Sequence, residues 1–145
     1  MASQTVNGKA FEYALLRKFY DRLKIVTQVS IIENDPYQRV KENFEKVEES
    51  EKENFRIAAS FAVNFLIDLE PKISVALNDK DILVLEIVSD SAGQDGDVRD
   101  VLLIRSLQKW EIGVSAKNNH RALKHSRLST KLDFGNEWLG KPCSQ

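Results

Sequence analysis

The sequence contains little cysteine, little histidine and no long apolar run, and each shortage excludes a class of protein. Its 145 residues include one cysteine, Cys143, and two histidines, so an intrachain disulfide and a cysteine-rich zinc site are both excluded. No apolar run approaches the roughly 18 residues that a membrane-spanning helix needs, so we expect no membrane partner. The N-terminus has neither a charged start nor an apolar stretch, which predicts no signal peptide and a cytoplasmic location.

An excess of charge of one sign is also absent. Lys and Arg number 21 and Asp and Glu 22, for a net charge of −1, which excludes a globally basic nucleic-acid binder but permits a locally basic face. A glycine-rich phosphate loop and a serine nucleophile elbow are missing as well. Residues 42–53 hold six Glu and two Lys, which we interpret as a solvated helix surface. An interaction protein that uses an acidic helix over 36–49 is the alternative.

The apolar pattern predicts one domain, residues 1–145, in which helices precede strands. Apolar residues at helical spacing predict helices over 8–24, with Asn7 as a candidate N-cap, over 36–49, with Pro36 at its start, and over 51–69. Whether the last two are one bent helix stays open. Residues 25–35 fit either a helix or a strand. Apolar runs and alternation predict strands over 82–88, 98–104 and 109–117, the last two joined as a hairpin. A polar, glycine-containing loop is expected over 89–96. We therefore expect the α/β (α+β) class, with N-terminal helices followed by a central mixed sheet.

Two acidic residues stand at the start of the second predicted strand. Asp97 opens it, and Asp100 directly precedes the apolar residues 101–104, although Asp is depleted in strands. Hard cations such as Mg²⁺ take carboxylate oxygens, and one or two carboxylates suffice when a phosphate supplies further ligands. Asp100 and Asp97 are therefore candidate metal ligands. The alternative is that they are strand-end acids paired with Arg99 or Arg105.

Two further charged residues belong to the same hypothesis. Lys117 ends the third strand, and a hairpin brings the end of its second strand beside the start of its first, so Lys117 should lie near Asp100. An ammonium beside a carboxylate-bound metal can orient a water, although a strand-terminal Lys usually just reaches solvent. Glu12 flanks the apolar stripe of the first helix, either as a boundary charge or as a second carboxylate over the sheet.

Residues 118–131 form a basic segment with four positive charges and no acid. Its mixture of cationic, amide and hydroxyl side chains suits phosphate oxygens, while a solvated helix and loop is the alternative. Two histidines five residues apart, without a third, do not make a zinc site. The residues that we expect at DNA are Asn118, Asn119, His120, Arg121, Lys124, His125 and Arg127.

Together these residues resemble the PD-(D/E)XK nuclease core, in which a helix with a Glu precedes strands that carry the metal and lysine residues. Gly8-Lys-Ala-Phe-Glu12 looks like the Gly-x-x-Phe-Glu helix of that superfamily, Asp100 stands at its metal Asp, and Ser115-Ala-Lys117 stands at its (D/E)-X-K motif. A closer resemblance is to HaeIII-type restriction endonucleases. It is carried by residues 7–13, 96–101, 110–129, 133–135 and 138–143.

This resemblance implies magnesium-dependent cleavage of double-stranded DNA at GGCC sites, with a DNA methyltransferase as genetic partner. The sequence leaves the oligomeric state open, with a homodimer as one candidate. The resemblance also implies that Asp100 and Glu12 hold Mg²⁺ with the backbone carbonyl of Ala116, and that Lys117 activates the attacking water. Ser115 departs from the usual acid, so Glu12 is the expected replacement and Asp97 the second candidate. Family members are longer, so we expect the N-terminal catalytic portion of a larger enzyme. The main rival is a non-cleaving DNA-binding module or inactive remnant.

Overall fold

The computed structural model describes residues 3–117 as a layer of helices on a four-stranded sheet. The long helices are α1 (Gln4–Leu23), α2 (Asp35–Glu45) and α3 (Glu49–Leu69), and α4 (Asp90–Gln94) is a short one. The strands are β1 (Val29–Ile31), β2 (Leu83–Ile87), β3 (Val101–Arg105) and β4 (Trp110–Val114). The expected α+β class with a mixed sheet is confirmed. None of the helices in this part of the chain is long and apolar enough to cross a bilayer.

The sheet has the order β1-β2-β3-β4, in which β1 runs parallel to β2 and the other neighbours are antiparallel. The predicted β3–β4 hairpin is present, with Val101 opposite Val114 and Arg105 opposite Trp110. This register puts the start of β3 next to the end of β4, on the side of the sheet where β2 also ends.

Helix α1 supplies the centre of the core. Leu15, Phe19 and Leu23 repeat every fourth residue and are almost fully buried, so one face of α1 is continuously apolar. That face packs against α2, α3 and the first two strands. The helix begins earlier than the sequence predicts, because Ser3 is its cap and accepts a 3.2 Å hydrogen bond from the Val6 N–H. Asn7, the expected cap, lies inside the helix.

Three other local expectations are refined. The ambiguous residues 25–35 contain β1, whose Val29 pairs with Leu83, and the start of α2. The loop expected over 89–96 contains the short helix α4. The acidic run 42–53 spans the break between α2 and α3, so these are two helices.

A buried ion pair anchors the turn end of the hairpin. Arg105 has no exposed surface, donates to the carbonyls of Asp81 and Ile73 at 3.0 and 2.9 Å, and lies 3.4 Å from the Asp81 carboxylate. Hydrogen bonds from the Gln108 side chain and the Leu77 N–H, together with the Arg105 charge, lower the pKa of Asp81. Arg105 is thus committed to Asp81, and the idea that it pairs with Asp97 or Asp100 is wrong.

Candidate active site

Asp100 lies at the junction of three strands. Its N–H donates to the Val114 carbonyl and its own carbonyl accepts from the Val88 N–H, both at 2.9 Å, so its backbone is held between the ends of β2 and β4. This pairing starts β3 at Val101 and leaves Asp100 just outside the strand, three residues later than the sequence pattern predicts. The side chain of Asp100 therefore lies just beyond the N-terminal end of β3 rather than on a face of that strand.

The segment that follows β4 contacts the Asp100 carboxylate. Oδ2 accepts a 2.6 Å hydrogen bond from the Ala116 N–H and one of 3.3 Å from Ser115 Oγ, and Lys117 Nζ lies 4.0 Å away. Within residues 3–117 no hydrogen-bond donor contacts Oδ1. The structure thus brings Asp100 and Lys117 together, and it leaves one carboxylate oxygen available for a ligand.

Glu12 points from α1 into the same region and is buried. The residue retains 6% of its surface, so it is no boundary charge. Burial raises the pKa of Glu12 to about 7, Lys9 opposes that shift, and the negative charge of Asp100 adds to it. The contribution of the Asp100 charge to the raised pKa of Glu12 indicates that Glu12 belongs to the same electrostatic environment as Asp100.

Lys9 and Asp90 complete this site, and sequence reasoning did not select either of them. Lys9 Nζ lies 3.4 Å from both carboxylate oxygens of Glu12 and 2.5 Å from Oδ1 of Asp90, the first residue of α4. Burial lowers the pKa of Lys9, but the hydrogen bond to Asp90 and the charges of Glu12 and Asp90 outweigh it and raise the pKa overall. Lys9 stands three residues before Glu12, which was a usable signal, whereas the position of Asp90 depends on how α4 packs.

Asp97 is engaged elsewhere. Both of its carboxylate oxygens accept hydrogen bonds of 2.8 Å from the Arg99 guanidinium, which also binds Glu111 at 2.8 Å. Arg99 holds the pKa of Asp97 down at about 2. A Cβ at Gly113 would overlap the aliphatic stem of Arg99, so the glycine makes room for this ion-pair bridge. The pairing of Asp97 with Arg99 that the sequence left open is therefore present, and Glu111 belongs to the same ion-pair bridge.

The donor set suits a hard cation that keeps part of its hydration. Within residues 3–117 no group of three or more acidic, histidine or cysteine side chains is close enough to enclose a metal. Two carboxylates, from Asp100 and Glu12, match Mg²⁺, which usually takes one or two carboxylates and completes its shell with waters and substrate phosphates. The expected DNA-binding residues lie outside the described part of the chain; they are Asn118, Asn119, His120, Arg121, Lys124, His125 and Arg127.

Comparison with known proteins agrees with this chemistry. The model of the HaeIII restriction endonuclease family matches residues 8–145. The type II restriction enzyme HaeIII of Haemophilus aegyptius is 38% identical over 142 residues, which cover 96% of this chain and 43% of that enzyme. The chain thus spans less than half the length of this curated relative, and no solved structure matches it. The extent of the family match and the level of identity show that the chain belongs to the HaeIII restriction endonuclease family.

Proposed function

We propose that this chain carries the nuclease site of a type II restriction endonuclease that hydrolyses phosphodiester bonds in double-stranded DNA at GGCC. The observation that carries the proposal is the contact of the Asp100 carboxylate with Ser115, Ala116 and Lys117 in a member of this family. Glu12 adds a buried carboxylate whose pKa the charge of Asp100 helps to raise. Buried or paired carboxylates beside a lysine are a combination that supports metal-assisted hydrolysis.

Each residue has a distinct task in this proposal. Asp100 and Glu12 would offer carboxylate oxygens to Mg²⁺, and the Ala116 carbonyl would offer a third. When bound, Mg²⁺ would supply charge stabilisation at the phosphate and would make water more acidic. The Ala116 N–H and the Ser115 hydroxyl fix one oxygen of Asp100. The ammonium of Lys117, whose side chain is 72% exposed, orients the attacking water.

Glu12 is preferred to Asp97 as the second ligand. Glu12 senses the charge of Asp100 and lies in the same site, whereas Arg99 already neutralises both oxygens of Asp97. A metal at Asp97 would have to displace a two-point guanidinium contact, which is among the stronger hydrogen-bonded pairs in proteins. Glu12 therefore takes the place of the acid that Ser115 lacks.

The basic segment 118–131, which starts directly after Lys117, would bind the DNA backbone. Cationic and amide side chains there are suited to phosphate oxygens on either side of the scissile bond. A homodimer, a partner methyltransferase and a cytoplasmic location stay predictions, and sedimentation velocity tests the first of them.

The deciding experiment incubates the protein with plasmids that contain or lack GGCC, in Mg²⁺ and then in EDTA. Cutting of the GGCC plasmid that EDTA abolishes supports the proposal in full. Metal-dependent cutting of both plasmids supports the nuclease but not the site. A gel shift without cutting indicates the non-cleaving DNA-binding module. If there is neither cutting nor a gel shift, the interaction protein that uses the acidic α2–α3 surface becomes the favoured interpretation.

A further inference from the structure

Lys9 places its ammonium between the carboxylates of Glu12 and Asp90. Its Nζ is 3.4 Å from both oxygens of Glu12, and within residues 3–117 Glu12 has no other hydrogen-bond partner. The Glu12 side chain is 9% exposed and that of Lys9 20% exposed, so water screens this contact weakly. Lys9 is therefore the local counter-charge of a buried carboxylate.

We propose that Lys9 is the resident cation of the metal-free site and that a divalent metal displaces it from Glu12, so that Lys9 is a positioning residue that sets metal affinity. This inference rests on the proposed metal site. A metal ion coordinated by Glu12 would approach the same two oxygens that face Nζ. Two cations within a few ångströms of each other repel, so the metal and the ammonium compete for one carboxylate.

Asp90 gives the displaced ammonium a place to stay. The contact from Lys9 to Asp90 is 2.5 Å, shorter than its contacts to Glu12, and the Asp90 side chain is 61% exposed. Lys9 can thus leave Glu12 without losing its other partner. The competition makes metal binding weak until a DNA phosphate adds its own negative charge and ligands, which couples occupancy of the metal site to the presence of substrate.

The test measures the binding of Mn²⁺ to the protein without DNA, because Mn²⁺ is an oxygen-preferring substitute for Mg²⁺. The concentration of free Mn²⁺ is obtained from its electron paramagnetic resonance signal. The test compares the EDTA-treated wild type with Lys9→Met, Lys9→Arg and the control Lys24→Met, at pH 8.5 to keep protons from replacing the lysine on Glu12. Lys24 is a matched control because it also pairs with an acid three residues away, Asp21, at the far end of α1.

We expect Lys9→Met to bind Mn²⁺ about tenfold more tightly than the wild type, equivalent to about 1.4 kcal/mol. Lys9→Arg and Lys24→Met should bind it like the wild type. Unchanged or weaker Mn²⁺ binding by a folded Lys9→Met protein overturns the inference. If Lys9→Met does not fold, Lys9→Gln is measured in its place.

Asp100→Asn separates this inference from the proposed function. If Asp100→Asn loses Mn²⁺ binding while Lys9→Met does not strengthen it, the metal site stands and the role of Lys9 is wrong. If neither the wild type nor Lys9→Met binds Mn²⁺, or if Asp100→Asn binds it as well as the wild type does, the metal site itself is wrong and the inference fails with it.

Discussion

The Ala116 N–H donates a 2.6 Å hydrogen bond to Oδ2 of Asp100 across the open end of the β3–β4 hairpin. Because Ala116 directly precedes Lys117, the same contact brings the Lys117 ammonium within 4.0 Å of that oxygen. The relation depends on the strand register, in which Val101 faces Val114, so a slip of one residue would separate the two groups. Strand pairing therefore sets the spacing between a candidate metal ligand and a candidate catalytic lysine.

The first prediction is that Asp100→Asn abolishes cleavage without unfolding the protein. The substitution removes one metal-binding charge, while the Asn carbonyl oxygen can still accept from Ala116. We expect cleavage to fall by at least about a hundredfold, as when a charge-stabilising group is removed from an active site. Asp21→Asn, at an exposed acid on α1, is the control and should cut normally. Wild-type cutting by Asp100→Asn would move the metal site elsewhere.

The second prediction separates Glu12 from Asp97. Glu12→Gln should weaken Mg²⁺ affinity by at least about tenfold, which is the lower end of the loss typical of residues that only support a metal ligand. Excess Mg²⁺ should partly restore cleavage. Asp97→Asn should instead release Arg99 and leave the Mg²⁺ dependence of cleavage near that of the wild type. The comparison is a Mg²⁺ titration of the cleavage rate. A silent Glu12→Gln together with an inactive Asp97→Asn would identify Asp97 as the ligand.

The sequence predicts the hairpin well because its signal is local. Residues 110, 112 and 114 alternate with polar ones, and a short turn fixes which ends meet, so Asp100 and Lys117 could be paired without a structure. In contrast, β1 is three residues long and its partner β2 is distant in sequence. A strand that short carries no periodicity of its own, and its pairing depends on the tertiary fold.

The carboxylate side of the site was predictable only in part. Helical spacing puts Glu12 at the border of the apolar stripe, and the packing of α1 against the sheet decides that the residue is buried. Asp90 lies in a segment that reads as a polar loop, so its contact with Lys9 follows from the placement of α4 alone. Local patterns identify strand ends, whereas convergence of charges from distant elements requires the fold.

The third prediction concerns the basic segment. Replacing Arg121, Lys124 or Arg127 singly with Gln should weaken binding to GGCC and scrambled duplexes alike. Each loss of a phosphate contact should also flatten the log–log salt dependence of affinity by about one unit. Binding isotherms at several salt concentrations provide both quantities. A variant that changes sequence preference while the salt slope stays constant would make that residue a reader of bases.

The fourth prediction contrasts two glycines. A Cβ at Gly8 meets nothing within 4 Å, so Gly8→Ala should stabilise α1 by about 0.5–1 kcal/mol. Gly8 lies one turn before Glu12, on the same helix face, and the added methyl should hinder approach of DNA and reduce cleavage. Gly113→Ala should instead lower the melting temperature, because its Cβ would overlap the Arg99 stem. If Gly8→Ala is more stable and fully active, the glycine has no role in substrate approach.

The last prediction follows from the burial of Glu12 and applies to the metal-free protein in EDTA. Its pKa is raised from 4.5 to about 7, so between those values the folded state retains a proton that the unfolded chain releases. Stability must therefore fall as the pH rises through this window, by up to about 3 kcal/mol. Asp97, whose pKa is lowered from 3.8 to about 2, acts in the opposite sense and below that window, where its stabilising contribution disappears as the pH falls.

Urea unfolding of the wild type and of Glu12→Gln at pH 5, 6, 7 and 8 measures this pH-dependent loss of stability. Glu12→Gln cannot ionise, so its stability should decline less between pH 5 and 7 than that of the wild type, and the difference between the two proteins isolates one group. Lys24→Met is again the control and should follow the wild type, since it leaves the surroundings of Glu12 unchanged. Parallel curves for the wild type and Glu12→Gln would mean that Glu12 is ionised throughout, and that its burial is fully offset by Lys9.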